Sequence, residues 1–123
     1  SHDSVIKLLQ DSDFGILVRT SDLYARAGFS TKFAECRSNG VPMLCNAVGG
    51  ADLILENNID GIVIPDLSSQ ALHDGITSAC NLTDYELANM KQAALKKALS
   101  LFESDNYIDS FSSFLKSVLS ISN

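Results

Sequence analysis

The sequence predicts an α/β fold in which a parallel, Rossmann-like sheet carries helices on both faces. Three short apolar runs, at 14–18, 43–45 and 62–64, have the continuous hydrophobicity of strands buried on both sides. Segments with helical periodicity alternate with these runs, and strands that alternate with helices pair in parallel. The composition agrees with a folded domain, because 46% of the residues are hydrophobic and 20% are charged.

In the first half of the chain, short helices and turns separate the strands. Apolar spacing predicts a short helix at 4–9, whereas 20–30 has no clear period and is expected to be a long loop. A further helix is predicted at 31–39. It ends at Gly40, because glycine readily adopts the left-handed conformation that closes a helix.

The second half of the chain is predominantly helical. A short helix at 51–56 follows the second strand, and an amphipathic helix covers 68–80. Thr83 and Glu86 have the spacing of a capping box, which marks the start of another helix. A last helix begins near residue 105, and its apolar face is expected to pack against the domain: Tyr107, Phe111, Phe114, Val118 and Ile121.

The predicted sheet is small for this class of fold. Three strands are fewer than the roughly 5–6 of a typical sheet, and the two C-terminal helices offer more apolar surface than such a sheet covers. Early strands are therefore expected to be missing, upstream of residue 1. With Ser1 and His2 set aside as a candidate tag remnant, 3–123 is interpreted as one partial domain.

Charge and cysteine content exclude several classes of partner. A net charge of −6 disfavours the nucleic-acid backbone and acidic lipids as ligands. Three cysteines without a CxxC spacing fit a reducing cytosol better than a disulfide framework or a zinc site. No segment has the length of a membrane span or the pattern of a signal peptide. The sequence predicts a cytoplasmic protein without a metal.

The carboxyl ends of the strands are the expected ligand site, since ligands of parallel α/β sheets bind there. Three junctions lie at this edge, at 19–30, 46–50 and 65–67. The first is the longest, well beyond the ~2–6 residues usual for such a loop, which is typical of a functional loop. This junction and the helix after it carry four of the nine basic residues: Arg19, Arg26, Lys32 and Arg37.

The start of the 31–39 helix has the features of a diphosphate site. Gly28 allows close backbone approach, and the helix points free amides at a ligand. Ser30 and Thr31 add hydroxyl groups. An alternative interpretation is equally open at this point, in which Ser30 merely caps the helix and the arginines are solvated.

Two further features of the edge are ambiguous in isolation. Glu35 lies at i,i+4 from Thr31, where its carboxylate could accept from two ribose hydroxyls, but a solvated pair with Lys32 is the commoner arrangement. Gly49 and Gly50 form either an amide nest for an anion or sugar, or only a tight turn.

Five segments in the same order and spacing resemble the C-terminal region of group 1 glycosyltransferases. They are SDFGILVR at 12–19, FSTKFAE at 29–35, NGVPML at 39–44, VGGADLI at 48–54 and DGIVIP at 60–65. The resemblance extends over almost the whole chain, as far as the helix that ends near Phe102.

The resemblance implies the GT-B architecture, in which two Rossmann-like domains face each other across the active site. The C-terminal domain holds a nucleoside-diphosphate sugar, and the sugar is transferred with retention to a glycan or lipid-linked acceptor, usually without a metal. The full-length protein is then a hexosyl- or related glycosyltransferase with no cofactor other than its donor substrate. The missing N-terminal domain would supply the acceptor site and any peripheral membrane attachment, and this chain alone is expected to be inactive.

The resemblance also assigns roles to residues. Glu35 corresponds to the second Glu of the family's Glu–seven residues–Glu motif and should hold the donor ribose. The motif's first Glu is replaced by Ala27, which leaves the catalytic residues unassigned. The predicted donor-binding set is Arg26, Gly28, Phe29, Ser30, Thr31, Lys32, Glu35, Gly49 and Gly50, with Lys32 and Arg26 as cations for the diphosphate.

Two functions other than glycosyl transfer are also compatible with the sequence. A sugar-nucleotide epimerase of the same architecture would need catalytic acids and a histidine in the missing half. A non-catalytic α/β binding module is compatible with Ala27. Binding of UDP, GDP or ADP distinguishes the glycosyltransferase and epimerase hypotheses from the binding module.

Overall fold

The computed structural model describes residues 2–121, with the side chains of His2 and Ile121 outside the described part. Ser1 of the candidate tag remnant lies outside the described residues, whereas His2 opens the first helix. The helices are α1 (His2–Gln10), α2 (Leu23–Ala27), α3 (Thr31–Ser38), α4 (Ala51–Ile54), α5 (Ser69–Cys80), α6 (Asp84–Phe102) and α7 (Ile108–Ile121). The strands are β1 (Gly15–Leu17), β2 (Met43–Asn46) and β3 (Gly61–Ile64).

The sheet of the described residues is parallel, with strand order β1-β2-β3. Ile16 pairs with Leu44, and Leu44 pairs with Ile62, so the three strands are in register across the sheet. The α/β class and the parallel pairing predicted from the sequence are confirmed. Because all strands run the same way, their carboxyl ends form one edge of the sheet and their amino ends the other.

The central strand β2 is buried on both faces, as its continuous apolar run predicts. Met43 and Cys45 belong to a core cluster with Phe33 and Cys36 of α3, while Leu44 joins a second cluster with Ala71 of α5. Successive side chains of a strand point to opposite faces. The sheet is therefore a middle layer, with α3 and α4 on one side and α5 on the other.

The predicted long loop at 20–30 contains a helix, α2, and the prediction was wrong there. Asp22 caps this helix by accepting from the Ala25 amide at 2.8 Å. Leu23 and Tyr24 are exposed, and only Ala25 of the helix is buried. A helix held by its cap rather than by an amphipathic face leaves no periodicity to recognise.

The two C-terminal helices differ in how they pack. The capping box of α6 is present, since the Glu86 amide donates to the Thr83 hydroxyl and the Thr83 amide donates to the Glu86 carboxylate. Met90, Ala94 and Ala98 of α6 are buried.

The expected packing of the apolar stripe at 107–121 is wrong for the described residues. Tyr107, Phe111, Phe114 and Val118 are all exposed, and the side chain of Ile121 lies outside the described part. The sheet itself is not fully covered either, since Ile16 of β1 is exposed. No helix in the described range is long and apolar enough to cross a membrane.

Candidate functional site

The carboxyl edge of the sheet is tied together by a reciprocal pair of hydrogen bonds between Arg19 and Asn46. The Arg19 amide donates to Asn46 Oδ1 at 2.9 Å, and Asn46 Nδ2 donates to the Arg19 carbonyl at 2.6 Å. These bonds join the segment after β1 to the last residue of β2. They hold the two loops that follow these strands at a fixed separation.

The turn at 46–50 depends on its two glycines. Gly49 and Gly50 have φ of +69° and +85°, in a backbone region that residues with a Cβ rarely adopt. A Cβ at Gly49 would lie 2.5 Å from the Gly28 carbonyl oxygen and 2.6 Å from that of Ala25. The glycine turn is therefore packed directly against the main chain at the end of α2.

The side chain of Arg19 completes this packing. Its Nη1 donates to the Gly28 carbonyl at 2.9 Å and lies 2.9 Å from where a Gly49 Cβ would be. Arg19 is half-buried. Its guanidinium therefore braces the α2–α3 loop against the glycine turn.

An open cavity of about 450 Å³ lies beside the glycine turn, and we call it the glycine-turn cavity. The residues that line it are Ser21, Arg26, Ala47, Val48, Gly49, Gly50, Asp52 and Leu53. Arg26 brings a cation and Asp52 a carboxylate to the same recess. A second cavity of about 320 Å³ shares Ser21, Ala47 and Val48 with it and extends past the end of β3 to Asp66.

Three of the nine predicted donor-binding residues line the glycine-turn cavity: Arg26, Gly49 and Gly50. Gly28 and Phe29 lie behind the turn. Gly28 accepts from Arg19 through its carbonyl, and a Cβ at Gly50 would lie 3.0 Å from the Phe29 ring.

The start of α3 has the predicted cap. Ser30 Oγ accepts from the Phe33 amide at 3.3 Å, and Thr31 is the first helical residue. Ser30 therefore caps the helix, as the alternative interpretation required. A helix cap does not exclude a ligand at the same helix start.

Lys32 and Glu35 lie on an exposed face of α3 and are not among the residues that line either cavity. Lys32 Nζ donates to the Ile16 carbonyl of β1 at 3.1 Å. Ala27, at the position of the motif's first Glu, is exposed at the end of α2. The roles assigned to these three positions remain predictions.

Arg37 does not belong to the basic ligand-facing set in which the sequence placed it. Its side chain is fully buried and pairs with Asp60, with an Nη2–Oδ2 distance of 3.0 Å. Asp60 lies just before β3, at the amino edge of the sheet. The count of basic residues along the sequence could not reveal that one of them points into the interior.

Hydrogen bonds stabilise the ionised form of two carboxylates at the carboxyl edge. A hydrogen bond from the Thr20 hydroxyl and another from the Ala25 amide lower the pKa of Asp22. Hydrogen bonds from the side chain and amide of Ser68 lower the pKa of Asp66. Burial raises the pKa of Cys45, in β2, to about 11, so its thiol stays protonated at neutral pH.

Other recesses of the described residues lie away from the carboxyl-edge loops, and one of about 380 Å³ is lined mainly by apolar residues of β1, β2, α5 and α6. A wider recess of about 610 Å³ lies along α6 alone, between Asn89 and Leu99. No group of three or more His, Cys, Asp or Glu side chains within the described residues could hold a metal ion.

Sequence reasoning missed Asn46, Ser21 and Asp52 at this edge. The position of Asn46, a polar residue at the carboxyl end of a buried strand, was the signal that could have identified it. Asp52 follows the glycine pair on α4 but matches no motif, and Ser21 lies in a segment interpreted as loop. Their convergence requires the tertiary structure.

Comparison with known proteins gives one family match. The family model described as "Glycosyl transferases group 1" matches residues 1–97. Among curated proteins, none matches the chain.

Proposed function

Because the chain belongs to the group 1 glycosyl transferases, we propose that it is the donor-binding segment of a retaining, GT-B glycosyltransferase. The donor is a nucleoside-diphosphate sugar, and the acceptor is a glycan or a lipid-linked molecule. The glycine-turn cavity at the carboxyl edge of the sheet is the observation that carries this proposal. It supplies a cation, main-chain amides and a carboxylate in one recess.

The cavity suits both halves of such a donor. Arg26 provides a guanidinium for the diphosphate, and the amides of the glycine turn are available to a ligand because Gly49 and Gly50 carry no side chain. Asp52 is unsuited to a phosphate, but its carboxylate can accept hydrogen bonds from sugar hydroxyls.

Breaking the bond between sugar and phosphate places negative charge on the leaving diphosphate. Donors fixed before the reaction stabilise that charge without reorganisation. In the proposed mechanism Arg26 and the glycine-turn amides serve this purpose at the cavity. Lys32, on the exposed face of α3, adds a second cation when its bond to the Ile16 carbonyl is exchanged for the ligand.

Glu35 is proposed to hold the ribose hydroxyls of the donor. Its exposed position on α3 leaves the carboxylate accessible to solvent and ligand. Ala27 supplies no carboxylate toward the donor sugar, so no catalytic residue is assigned in this chain. We propose that 3–123 is part of a C-terminal domain, and that an opposing Rossmann-like domain provides the acceptor site and is required for transfer.

The binding test uses nucleoside diphosphates. UDP, GDP and ADP are titrated calorimetrically into the 123-residue chain and into its Arg26→Ala and Glu35→Ala variants. We expect one nucleotide to bind the wild type, and each variant to weaken it by about tenfold, as loss of one charge-assisted contact predicts.

The matched control is Lys91→Met, which removes a cation from an exposed pair with Asp13 at the opposite edge of the sheet. Its affinity should equal that of the wild type. If none of the three nucleotides binds, both the glycosyltransferase proposal and an epimerase of the same architecture fail, and a non-nucleotide binding module remains.

A further inference from the structure

A buried ion pair fixes α3 at the amino edge of the sheet. Arg37 and Asp60 each have a side chain with 0% exposure. Arg37 Nη1 donates to the Asp60 carbonyl at 2.9 Å, and Nη2 donates to Asp60 Oδ2 at 3.0 Å. Two bonds from one planar guanidinium define its orientation as well as its position.

Asp60 is itself held from two other directions. Its Oδ1 accepts from the Glu56 amide at 2.9 Å, and its Oδ2 lies 2.7 Å from Lys97 Nζ of α6. Lys97 also pairs with the Glu56 carboxylate. The anchor for α3 is therefore rigidly attached to both the sheet and α6.

Stability alone does not account for this pair. Buried ion pairs are often no more stabilising than apolar residues of similar volume, since desolvation offsets their attraction. Arg37 Nε is buried without a hydrogen-bond partner among the described residues, which adds to the free-energy cost of burying the pair. What the pair provides, and apolar packing does not, is a fixed orientation.

The orientation of Arg37 determines which face of α3 is exposed. Residues of an α-helix are separated by about 100°, so Glu35 lies roughly 200° around the helix from Arg37. Arg37 is held inward, and Glu35 is exposed. Rotation of α3 that released the guanidinium would carry Glu35 away from its present direction.

A continuous series of ring contacts connects the ion pair to the glycine turn. The Arg37 guanidinium lies 5.2 Å from the Phe33 ring centroid. The Phe33 and Phe29 rings pack edge to face at 5.8 Å. A Cβ at Gly50 would lie 3.0 Å from the Phe29 ring. Through Phe33 and Phe29, the ion pair at the amino edge is therefore connected by packing to the candidate site at the carboxyl edge.

We propose that Arg37, held by Asp60, is a positioning residue that sets the rotation of α3 and, through Phe33 and Phe29, the placement of the glycine turn. Its effect on ligand binding rests on the proposed function. Its effect on the glycine turn does not, and can be measured without a ligand.

The test compares two neutral double variants in the 123-residue chain. Arg37→Met/Asp60→Asn removes the buried pair without leaving an unpaired charge. Lys91→Met/Asp13→Asn removes the exposed pair at the same edge of the sheet, and serves as the matched control. Amide resonances of Gly49 and Gly50 are recorded by ¹H–¹⁵N NMR, and nucleoside-diphosphate affinity by calorimetry.

We expect the buried-pair variant to shift both glycine resonances and to weaken the nucleotide about tenfold, in the range of ordinary coupling between sites. The control should do neither. Unshifted resonances in a folded buried-pair variant overturn the proposal. Absence of nucleotide binding by the wild type instead overturns the proposed function, while the resonance comparison still decides the positioning role.

A single variant within the ring series provides a second measurement, and it remains available if the buried-pair variant does not fold. Phe33→Leu removes the ring between Arg37 and Phe29 while keeping both ions. It should shift the resonances of Gly49 and Gly50, and unchanged resonances contradict the proposed connection. Where both variants fold, the triple variant should shift the Gly49 and Gly50 resonances by less than the sum of the two separate shifts. Contacts in one series are not independent.

Discussion

The two edges of the sheet are held together by different kinds of contact. At the amino edge, Arg37 and Asp60 are fully buried and joined to Lys97 and Glu56 in one charged network. At the carboxyl edge, the half-buried side chains of Arg19 and Asn46 bond mainly to main-chain groups, and an open cavity adjoins them.

Because of this difference, the rigid contacts lie at the amino edge and the polar groups accessible to a ligand lie at the carboxyl edge. Arg37 and Asp60 at the amino edge face each other and are closed to solvent, and with the partly exposed Lys97 they fix the relative positions of α3, α6 and β3. At the carboxyl edge, Arg26 and Asp52 line a recess that a ligand can enter. Placing the most constrained contacts away from the recess keeps its walls ordered while its polar groups stay available.

The largest effect should follow from breaking the buried pair on one side only. Asp60→Ala leaves the Arg37 guanidinium buried without its carboxylate, which should lower the free energy of unfolding by about 3–5 kcal/mol. Urea unfolding followed by circular dichroism measures this. The exposed counterpart Asp13→Ala should cost no more than about 1 kcal/mol. Equal losses in the two variants would remove the contrast between buried and exposed pairs.

The next largest effect should come from the glycine turn. Gly49→Ala adds a Cβ within 2.6 Å of two carbonyl oxygens at a φ of +69°, so strain and collision act together. We expect a loss of about 2–4 kcal/mol in the free energy of unfolding, with weaker nucleotide binding.

Gly40→Ala is the matched control for this change. Gly40 has a similar φ of +74° but open space around the position of its Cβ, so only the strain of about 1–2 kcal/mol applies. A loss at Gly49 no greater than at Gly40 would show that the turn is not packed against the end of α2.

The acid sensitivity of the amino edge gives a third comparison. Burial acts to raise the pKa of Asp60, but hydrogen bonds from Arg37, Lys97 and the Glu56 amide outweigh it and hold the pKa below the ordinary 3.8. A depressed pKa contributes stability that is present above about pH 4 and lost as pH falls through the folded-state value.

Urea unfolding at a series of pH values between 2 and 7 tests this contribution. The wild type should lose stability more steeply below pH 4 than Asp60→Asn, which has no proton to gain at that position. Parallel pH profiles for the two proteins would contradict the depressed pKa.

The smallest effect should come from the exposed ion pair. Lys91 Nζ lies 2.8 Å from Asp13 Oδ1, and the Asp13 side chain is 71% exposed. Lys91→Met should change the free energy of unfolding by less than about 1 kcal/mol, because solvent screens such pairs. A larger loss would place Lys91 among the structural charges of the amino edge.

Local patterns predicted most of the secondary structure. The apolar run at Met43–Cys45 predicted a strand buried on both faces, and Thr83 with Glu86 predicted the start of α6. Both signals depend on residues adjacent along the chain. The helix α2 escaped prediction because a side-chain cap from Asp22, and not an apolar face, holds it.

The sequence by itself determined the fold class, the parallel order of strand and helix, and the edge at which ligands are expected, because periodicity and caps are local properties of the chain. Only the tertiary structure decided which basic residues reach that edge. Arg26 lines the cavity and Arg37 is buried against Asp60, 23 residues away along the chain. That choice depends on how α3 rotates against β3 and α6, and contacts between distant segments determine this rotation.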